Sequence, residues 1–457
     1  MAITSVKSST AVQASNTASM NYGPALAVLT TLFFIWGSLT SLNDVLIPFA
    51  QHVFSLKLAA SMLIQTAFFS AYFIFSIPSA KIIDWIGYKR AIIVGLSTMV
   101  AACLLFYPAA KIPSFPFFLT ALMILAAGIT VLQVAANPYV AVLGKPQTAS
   151  SRLNLTQAFN SLGTAVFPWV GARLILGESV SAAAQSASQD AVVKLYVYFF
   201  AIVLVLLAVL FAIFKLPRME AAEHHIGEKV NDSIWQHPNL VYGAIGIFVY
   251  VGGEVAIGSS IANYLALDNI GHFASDIADP AERYHAALAV AARYISLYWL
   301  GAMVGRFIGS AVLQKVKTSR VLAFCSIMAA LLVLISVSSS GPVAMWSVLS
   351  IGLFNSIMFP CIFTSGIAEL GQLTGDGSGL LNMAIVGGAV IPWIVGKIGD
   401  VINRSYYPAM TQGQTSWGQG IHYALIIAAL CYLYILFYAV SGSKPNSERY
   451  GRAEARS

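Results

Sequence analysis

The sequence predicts an all-α polytopic membrane protein in which twelve transmembrane helices form two pseudo-symmetric six-helix bundles. Three observations carry that prediction. Of 457 residues, 58% are hydrophobic and 9% charged, with a mean hydropathy of +0.77, a composition that a water-soluble chain of this length does not sustain. Cutting the chain at its polar and Gly/Pro-rich segments leaves twelve apolar stretches, each near the roughly 20 residues that cross a bilayer as a helix. Finally, A-V-F-P-W-V (Ala165 to Val170) returns 224 residues later as A-V-I-P-W-I (Ala389 to Ile394), and the same offset pairs Arg173 with Lys397. A repeat on this scale inside apolar segments reads as a duplicated membrane unit.

The predicted spans of the first half are 25–49, 59–83, 91–110, 115–143, 153–177 and 193–215, and those of the second are 238–266, 287–313, 321–339, 343–371, 379–402 and 419–441. The domain plan is a polar tail (1–22), a first bundle (23–215), a joining segment (216–237) with His224 and His225 at its middle, a second bundle (238–441) and a polar tail (442–457). The Ser/Thr/Ala-rich start has no apolar core before the first span, so it reads as a tail and not as a cleaved signal. With both termini placed inside, 16 of the 25 Lys and Arg residues fall in cytoplasmic loops and tails or at the cytoplasmic ends of spans (Lys81 and Lys215). Five fall in outer loops or at the outer end of a span (Lys57, Lys111, Lys194, Arg283, Arg404) and four deeper within spans. Short cytoplasmic loops collect bases, so both termini are predicted to be cytoplasmic. The net charge of +7 is therefore a topology signal; the bases form no stripe of the kind that follows a nucleic-acid backbone. Cys103, Cys325, Cys361 and Cys431 each stand alone in an apolar segment, without metal-ligand spacing.

Polar residues inside spans carry the chemistry. Asp44 lies in the first span, where a carboxylate near the bilayer centre costs on the order of 3 kcal/mol. It must face a cavity or a partner, unless it reaches the outer interface. Glu254, in V-G-G-E-V-A-I-G-S-S, is the second candidate for ion coupling, its ordinary alternative being a partner for a buried base. Gln133 and Asn137 share one face of the fourth span, and Asn154, Gln157, Asn160 and Ser161 form a stripe on the fifth. Uncharged amides suit sugar hydroxyls, because they donate and accept without the desolvation of a full charge; helix-to-helix hydrogen bonding is the alternative. Asn154, nearest the loop, is the most structural of the set. At the repeat offset these four align with Ser378, Leu381, Ala384 and Ile385, so the chemistry is concentrated in the first half. Among the aromatic residues of the spans Trp36 is the candidate for stacking on a sugar ring, and Asn355 is the candidate from the second half.

Two features read as gates. In A-K-I-I-D-W-I-G-Y-K-R (Ala80 to Arg90), Asp84 with Lys89 and Arg90 behind it is placed to lock helices at the cytoplasmic side. In V-G-R-F-I-G-S (Val304 to Ser310), Arg306 lies inside a span between two glycines that permit close helix approach. It needs a carboxylate or carbonyls, and Glu254 is a candidate partner.

The Ala80 to Arg90 segment resembles the G-x-x-x-D-x-x-G-x-[KR]-[KR] signature of the major facilitator superfamily, with Ala80 in place of the first Gly. S-L-N-D-V-L-I-P, L-Q-V-A-A-N-P-Y-V-A-V-L-G and S-R-L-N-L-T-Q-A-F-N-S-L-G further resemble the fucose/proton symporter family, nearest its bacterial glucose/galactose branch, which also includes N-acetylglucosamine carriers. The resemblance implies a secondary transporter that imports a hexose with a cation by alternating access in the bacterial inner membrane, working as a monomer without a cofactor. It implies that protonation of Asp44 is tied to transport and that Asn43, Gln157 and Asn160 line the sugar cavity. Where the fucose carriers have Glu in L-E-T-A-A-N-P, this chain has Gln133. Three arrangements stay open: Asp44 couples alone, Glu254 shares the task, or sodium is the driving ion.

Other classes fit less well. No nucleophile with its base, metal cluster or paired catalytic carboxylates appears within spans, which argues against an enzyme. A sugar sensor would be expected to carry an added signalling domain. A drug exporter is disfavoured by the neutral amide stripe.

Overall fold

A long apolar segment has one economical way to satisfy its backbone in hydrocarbon, a helix that bonds each N–H to a carbonyl of the same segment. The computed structural model of the chain accordingly contains helices and, among its described residues, no strand. Those residues are 22–42, 46, 50, 53–54, 63–112, 114–171, 192–217, 232–406 and 418–447. Asn43, Asp44, Arg173, His224, His225 and most of both tails lie outside them.

Ten described stretches are long and apolar enough to cross a membrane, and they account for eleven helices of the fold. The first, α1, is Gly23–Ser41. Leu63–Lys111 as one helix would be roughly 70 Å long, more than twice the ~30 Å hydrocarbon layer. It is two helices: Gly87 interrupts it with φ 77° and ψ 165°, a conformation that glycine adopts without strain. This gives α2 (63–86) and α3 (88–111), and α4 is Phe115–Val142. The twelfth helix, α5, is Ala149–Gly171, full length but too polar to count among the ten. Then come α6, π-helical over Val193–Phe200 and α-helical over Ala201–Ile213, α7 (Pro238–Leu265), α8 (Glu282–Val312), α9 (Thr318–Ser338), α10 (Gly341–Gly366), α11 (Gly371–Asn403) and α12 (Gln419–Gly442). Against the hydropathy prediction, α5 starts at Ala149 and not near 153, and α11 at Gly371 and not near 379. Their first turns are rich in Ser, Thr and Gly that pack against the other half, so apolarity underestimates their length.

The repeat has a packing reason. A Cβ on Gly163 of α5 would overlap the Phe34 carbonyl of α1, and a Cβ on Gly387 of α11 would overlap the Phe248 carbonyl of α7. These glycines are themselves 224 residues apart. Each half thus uses a bare backbone surface to bring its fifth helix against its first. Apolar side chains on the outer helices, such as Leu206, Ile213, Phe324 and Leu430, are exposed, which suits lipid tails. Inside the first half, Phe106 stacks on Tyr196 with ring centroids 4.3 Å apart.

The chain ends mark one end of the molecule. Tyr22, at the head of α1, lies beside Gly144 of the α4–α5 turn. Tyr438 of α12 donates to the Asn239 carbonyl at the start of α7, 3.1 Å away, and Asn239 donates to the Ser365 carbonyl at the end of α10. Outside the spans, His237 hydrogen-bonds Asp232 at 2.8 Å at this same end and holds its carboxyl below the usual carboxylate range.

Replacing Gly163 or Gly387 with Leu should force α5 from α1, or α11 from α7. Overpacking of this kind costs about 1–3 kcal/mol or more. Thermal unfolding of purified protein in detergent should show a clearly lowered midpoint for both variants and little change for Leu206→Ala on the lipid face.

Candidate functional site

Four helices of the first half converge on one polar cluster. Gln133 and Asn137 lie one turn apart on α4, and Gln157 and Asn160 on α5. The Gln133 side-chain amide donates to the Tyr72 hydroxyl of α2 at 2.7 Å. Gln157 donates to Asn137 Oδ1 at 3.5 Å, the outer limit of a hydrogen bond, and the buried Asn137 Nδ2 has no hydrogen-bond partner. Asn160 Nδ2 donates to the Phe33 carbonyl of α1 at 3.0 Å. A carbonyl can only accept, so the orientation of this amide is settled and Asn160 Oδ1 points away from that bond. Trp36 is buried beside Phe33, ring centroids 4.1 Å apart. Counted along α5, Gln157 and Asn160 stand roughly 12 and 17 Å from its start, near the middle of a ~30 Å layer. Partly used neutral amides at mid-depth can bind a neutral polyhydroxy solute.

Toward the chain-terminus end the cluster is closed by a seam between the halves. Ser150 hydrogen-bonds Thr364 of α10 at 2.6 Å and Thr318 at the head of α9 at 2.9 Å. Ser151 donates to the Ser310 carbonyl of α8 at 2.7 Å, and Ser310 returns a bond to the Ser151 carbonyl at 3.2 Å. Asn154 donates to the Arg306 carbonyl at 2.6 Å. The Arg306 guanidinium reaches the Gln157 carbonyl at 3.1 Å, the Ser161 hydroxyl, and the Ser356 carbonyl of its own half at 3.2 Å. On the other side, Ser378 of α11 donates to the Val134 carbonyl of α4 at 2.8 Å. Asn154 and Ser378 occupy equivalent places in the repeat, and both donate to a carbonyl of the opposite half.

Several expectations are corrected by this geometry. Arg306 is satisfied by carbonyls and a hydroxyl, and no ion pair joins it to Glu254; the stripe of α5 faces α8 closely enough to supply the oxygens. Ser161 accordingly serves the seam and not the amide cluster. Lys89 joins neighbouring helices of the first half: its ammonium donates to the Ala212 carbonyl at 3.0 Å, where the last turn of α6 favours a cation. Arg90 is exposed. Asp84 does meet the second half, its Oδ1 lying 3.2 Å from where a Cβ on Gly375 would stand, against the first turn of α11, where a carboxylate is favoured. Asn355 is not among the first-half amides. Its Nδ2 donates to the Tyr298 hydroxyl at 2.6 Å, which in turn donates to the Glu254 backbone carbonyl at 3.4 Å. Asn43 and Asp44 lie outside the described residues. Tyr72 and the serines at 150, 151 and 310 carry contacts that spacing did not single out; hydroxyls in pairs near helix ends were the available signal.

Residues 23–392 match the model of the Major Facilitator Superfamily. The chain is 46% identical to the glucose/galactose transporter of Brucella abortus, over 96% of its own length and 99% of that protein's. It is 31% identical to the L-fucose-proton symporter of Escherichia coli, over 92% and 93% of the two chains. Among solved structures it is similar to FucP in the outward conformation, with a TM-score of 0.78 at 30% identity over 93% and 99% of the two chains. It shares its fold with the proton:xylose symporter XylE, at a TM-score of 0.62 and 10% identity over 90% and 94% of the two chains.

Arg306→Ala should loosen the seam. Hydrogen bonds to a charged group contribute about 1.5–3 kcal/mol, so a cysteine placed at Ser310 in a cysteine-free background should react with maleimide roughly tenfold faster or more when Arg306 is removed.

Proposed function

The chain belongs to the major facilitator superfamily, and on that premise we propose that it imports a hexose of the glucose/galactose class together with a proton. The observation that carries the proposal is the neutral amide cluster of Gln133, Asn137, Gln157 and Asn160 at mid-depth, directly above a seam between the halves. A hexose offers several hydroxyls that both donate and accept. Amide donors and acceptors match them, and Trp36 supplies a flat apolar ring for the C–H face. The high identity to a glucose/galactose transporter supports the hexose class, and the fucose-proton relative supports the proton.

The seam closes the end that holds the chain termini, and the distribution of Lys and Arg makes that end cytoplasmic. The conformation is then open toward the outside, and transport proceeds when the two bundles rock about the bound sugar. Breaking the seam frees Arg306 from the Gln157 carbonyl, so the gate acts on the same turn of α5 that binds sugar. Asp84 at the first turn of α11 is the second element of that gate. Asp44 is the coupling carboxylate and Asn43 a further wall of the sugar cavity; Glu254 shares the coupling.

Reconstituted protein should accumulate labelled glucose under an imposed inward proton gradient, with galactose and N-acetylglucosamine as competitors that separate the sugar classes. Uptake that follows an equal sodium gradient instead would move the coupling to sodium. Asp44→Asn should lose accumulation against a gradient and retain sugar exchange; concentrative uptake at the unmodified level would remove Asp44 from coupling. Gln157→Ala and Asn160→Ala should each weaken sugar binding by about 1–3 kcal/mol, since a buried hydroxyl loses its partner. Unchanged affinity in both would move the site elsewhere.

A further inference from the structure

Near mid-depth α1 and α5 touch backbone to backbone, where a Cβ on Gly37 would overlap the Asn160 carbonyl. From there toward the end that holds the chain termini, these two helices and α6 enclose an open groove of about 690 Å³. It is lined by Ala27, Thr30 and Thr31 of α1, Leu155 and Phe159 of α5, and Leu207 of α6. Both threonine hydroxyls are turned back to their own helix, Thr30 to the Leu26 carbonyl and Thr31 to the Val28 carbonyl, each at 2.7 Å. They leave their methyl groups to the groove, whose surface is almost wholly apolar. Along α1 the lining runs from Gly23 to Ile35, roughly 18 Å of helix, close to one leaflet of a ~30 Å hydrocarbon layer. In length and chemistry the groove matches a hydrocarbon chain lying along α1.

The mouth of the groove is basic. Arg152 lies one turn before Leu155 on α5, and a Cβ on Gly144 would stand 3.5 Å from its Nη1 and 3.7 Å from the Tyr22 ring at the head of α1. Arg152 donates to the Val140 and Ala141 carbonyls at the end of α4, at 3.3 and 2.8 Å, and to the Lys145 carbonyl at 2.9 Å. Tyr139 of the same turn of α4 donates to the Pro217 carbonyl at 2.5 Å, which draws in the residues that follow α6, Lys215 among them. Lys145 and Lys215 are exposed. Among the described residues no carboxylate pairs with Lys145, Arg152 or Lys215. The one acid described in the first half, Asp84, lies against Gly375 of the other half.

We infer that this groove binds one anionic phospholipid of the cytoplasmic leaflet, its acyl chain along α1 between α5 and α6 and its head group at Lys145 and Lys215. Three bases without an acid among them favour an anionic head group over a zwitterionic one. The inference rests on the orientation proposed above and not on the sugar. It bears on transport through Phe159, which meets Phe307 of α8 edge-on with ring centroids 6.0 Å apart. A chain seated in the groove braces the turn of α5 that carries Gln157 and Asn160.

Photolabelling of the full chain in nanodiscs tests this. The probe is phosphatidylglycerol with a diazirine on one acyl chain, diluted into phosphatidylcholine, and the labelled peptides are mapped by mass spectrometry. Label should fall around Ala27, Leu155 and Leu207, and unlabelled phosphatidylglycerol should compete roughly tenfold better than unlabelled phosphatidylcholine. Equal competition by the two lipids overturns the inference, since it describes ordinary solvating lipid. Absence of label from the groove overturns it as well, whether the label lies on other helices or a second copy of the chain covers the site. Ala27→Trp fills the groove and should remove its label. Lys145→Gln combined with Lys215→Gln should keep the label and lower the preference for phosphatidylglycerol roughly fivefold per charge; an unaltered preference overturns the inference. These lysines lie outside the helices, so the pair decides even where Ala27→Trp fails to fold. The labelling uses no sugar and offers the lipid to both leaflets. A lack of hexose uptake by the unmodified protein would thus sink the transport reading while the labels still decide the lipid site.

Discussion

A polar side chain in hydrocarbon has no water to fall back on, so it must find its partner inside the protein. The arrangement of this molecule follows from that constraint. The most polar helix, α5, is held by three others: α1 presses against it at Gly163, α4 meets it through Asn137, and α8 meets it through the seam from Ser151 to Ser161. The strongly apolar helices α6 and α9 turn exposed side chains such as Leu206, Ile213 and Phe324 outward. Even single hydroxyls obey the rule, as Ser76 and Thr130 return their protons to carbonyls one turn back, at 2.5 and 2.8 Å.

Because α5 carries both the amide cluster and the seam, the proposed binding and gating act through one helix. The side chain of Gln157 points to Asn137 while its backbone carbonyl holds Arg306. A solute that pulls on the former changes the latter without any long relay. Alternating access needs such a joint, where the energy of closing one side is felt by the site at the middle.

The two halves share a scaffold and divide the chemistry. Gly163 and Gly387 do the same packing work, and Asn154 and Ser378 make the same kind of bond across to the other half. Yet Gln157 and Asn160 are matched by Leu381 and Ala384. The polar investment of the second half lies elsewhere, around Glu254, on faces of α7, α8, α10 and α12 that look into its own bundle. Duplication preserves backbone approach, because that depends on the absence of a side chain at one position. It leaves the remaining side chains free to diverge.

The solvent, the duplication, the twelve helices and the polar stripes of α4 and α5 were legible in the sequence, because hydropathy and helical spacing are properties of one segment at a time. The same spacing put Gln133 with Asn137, and Gln157 with Asn160, on single faces. It could not say which helix each face would meet. That Arg306 takes oxygens of α5 and not Glu254, that Lys89 takes the end of α6 as its neighbour, and that Asn355 joins Tyr298 were decided only in three dimensions. Partner choice inside a membrane depends on how closely backbones approach and at what height they cross. Those quantities are set jointly by all the helices of a bundle, and no single stretch of sequence contains them.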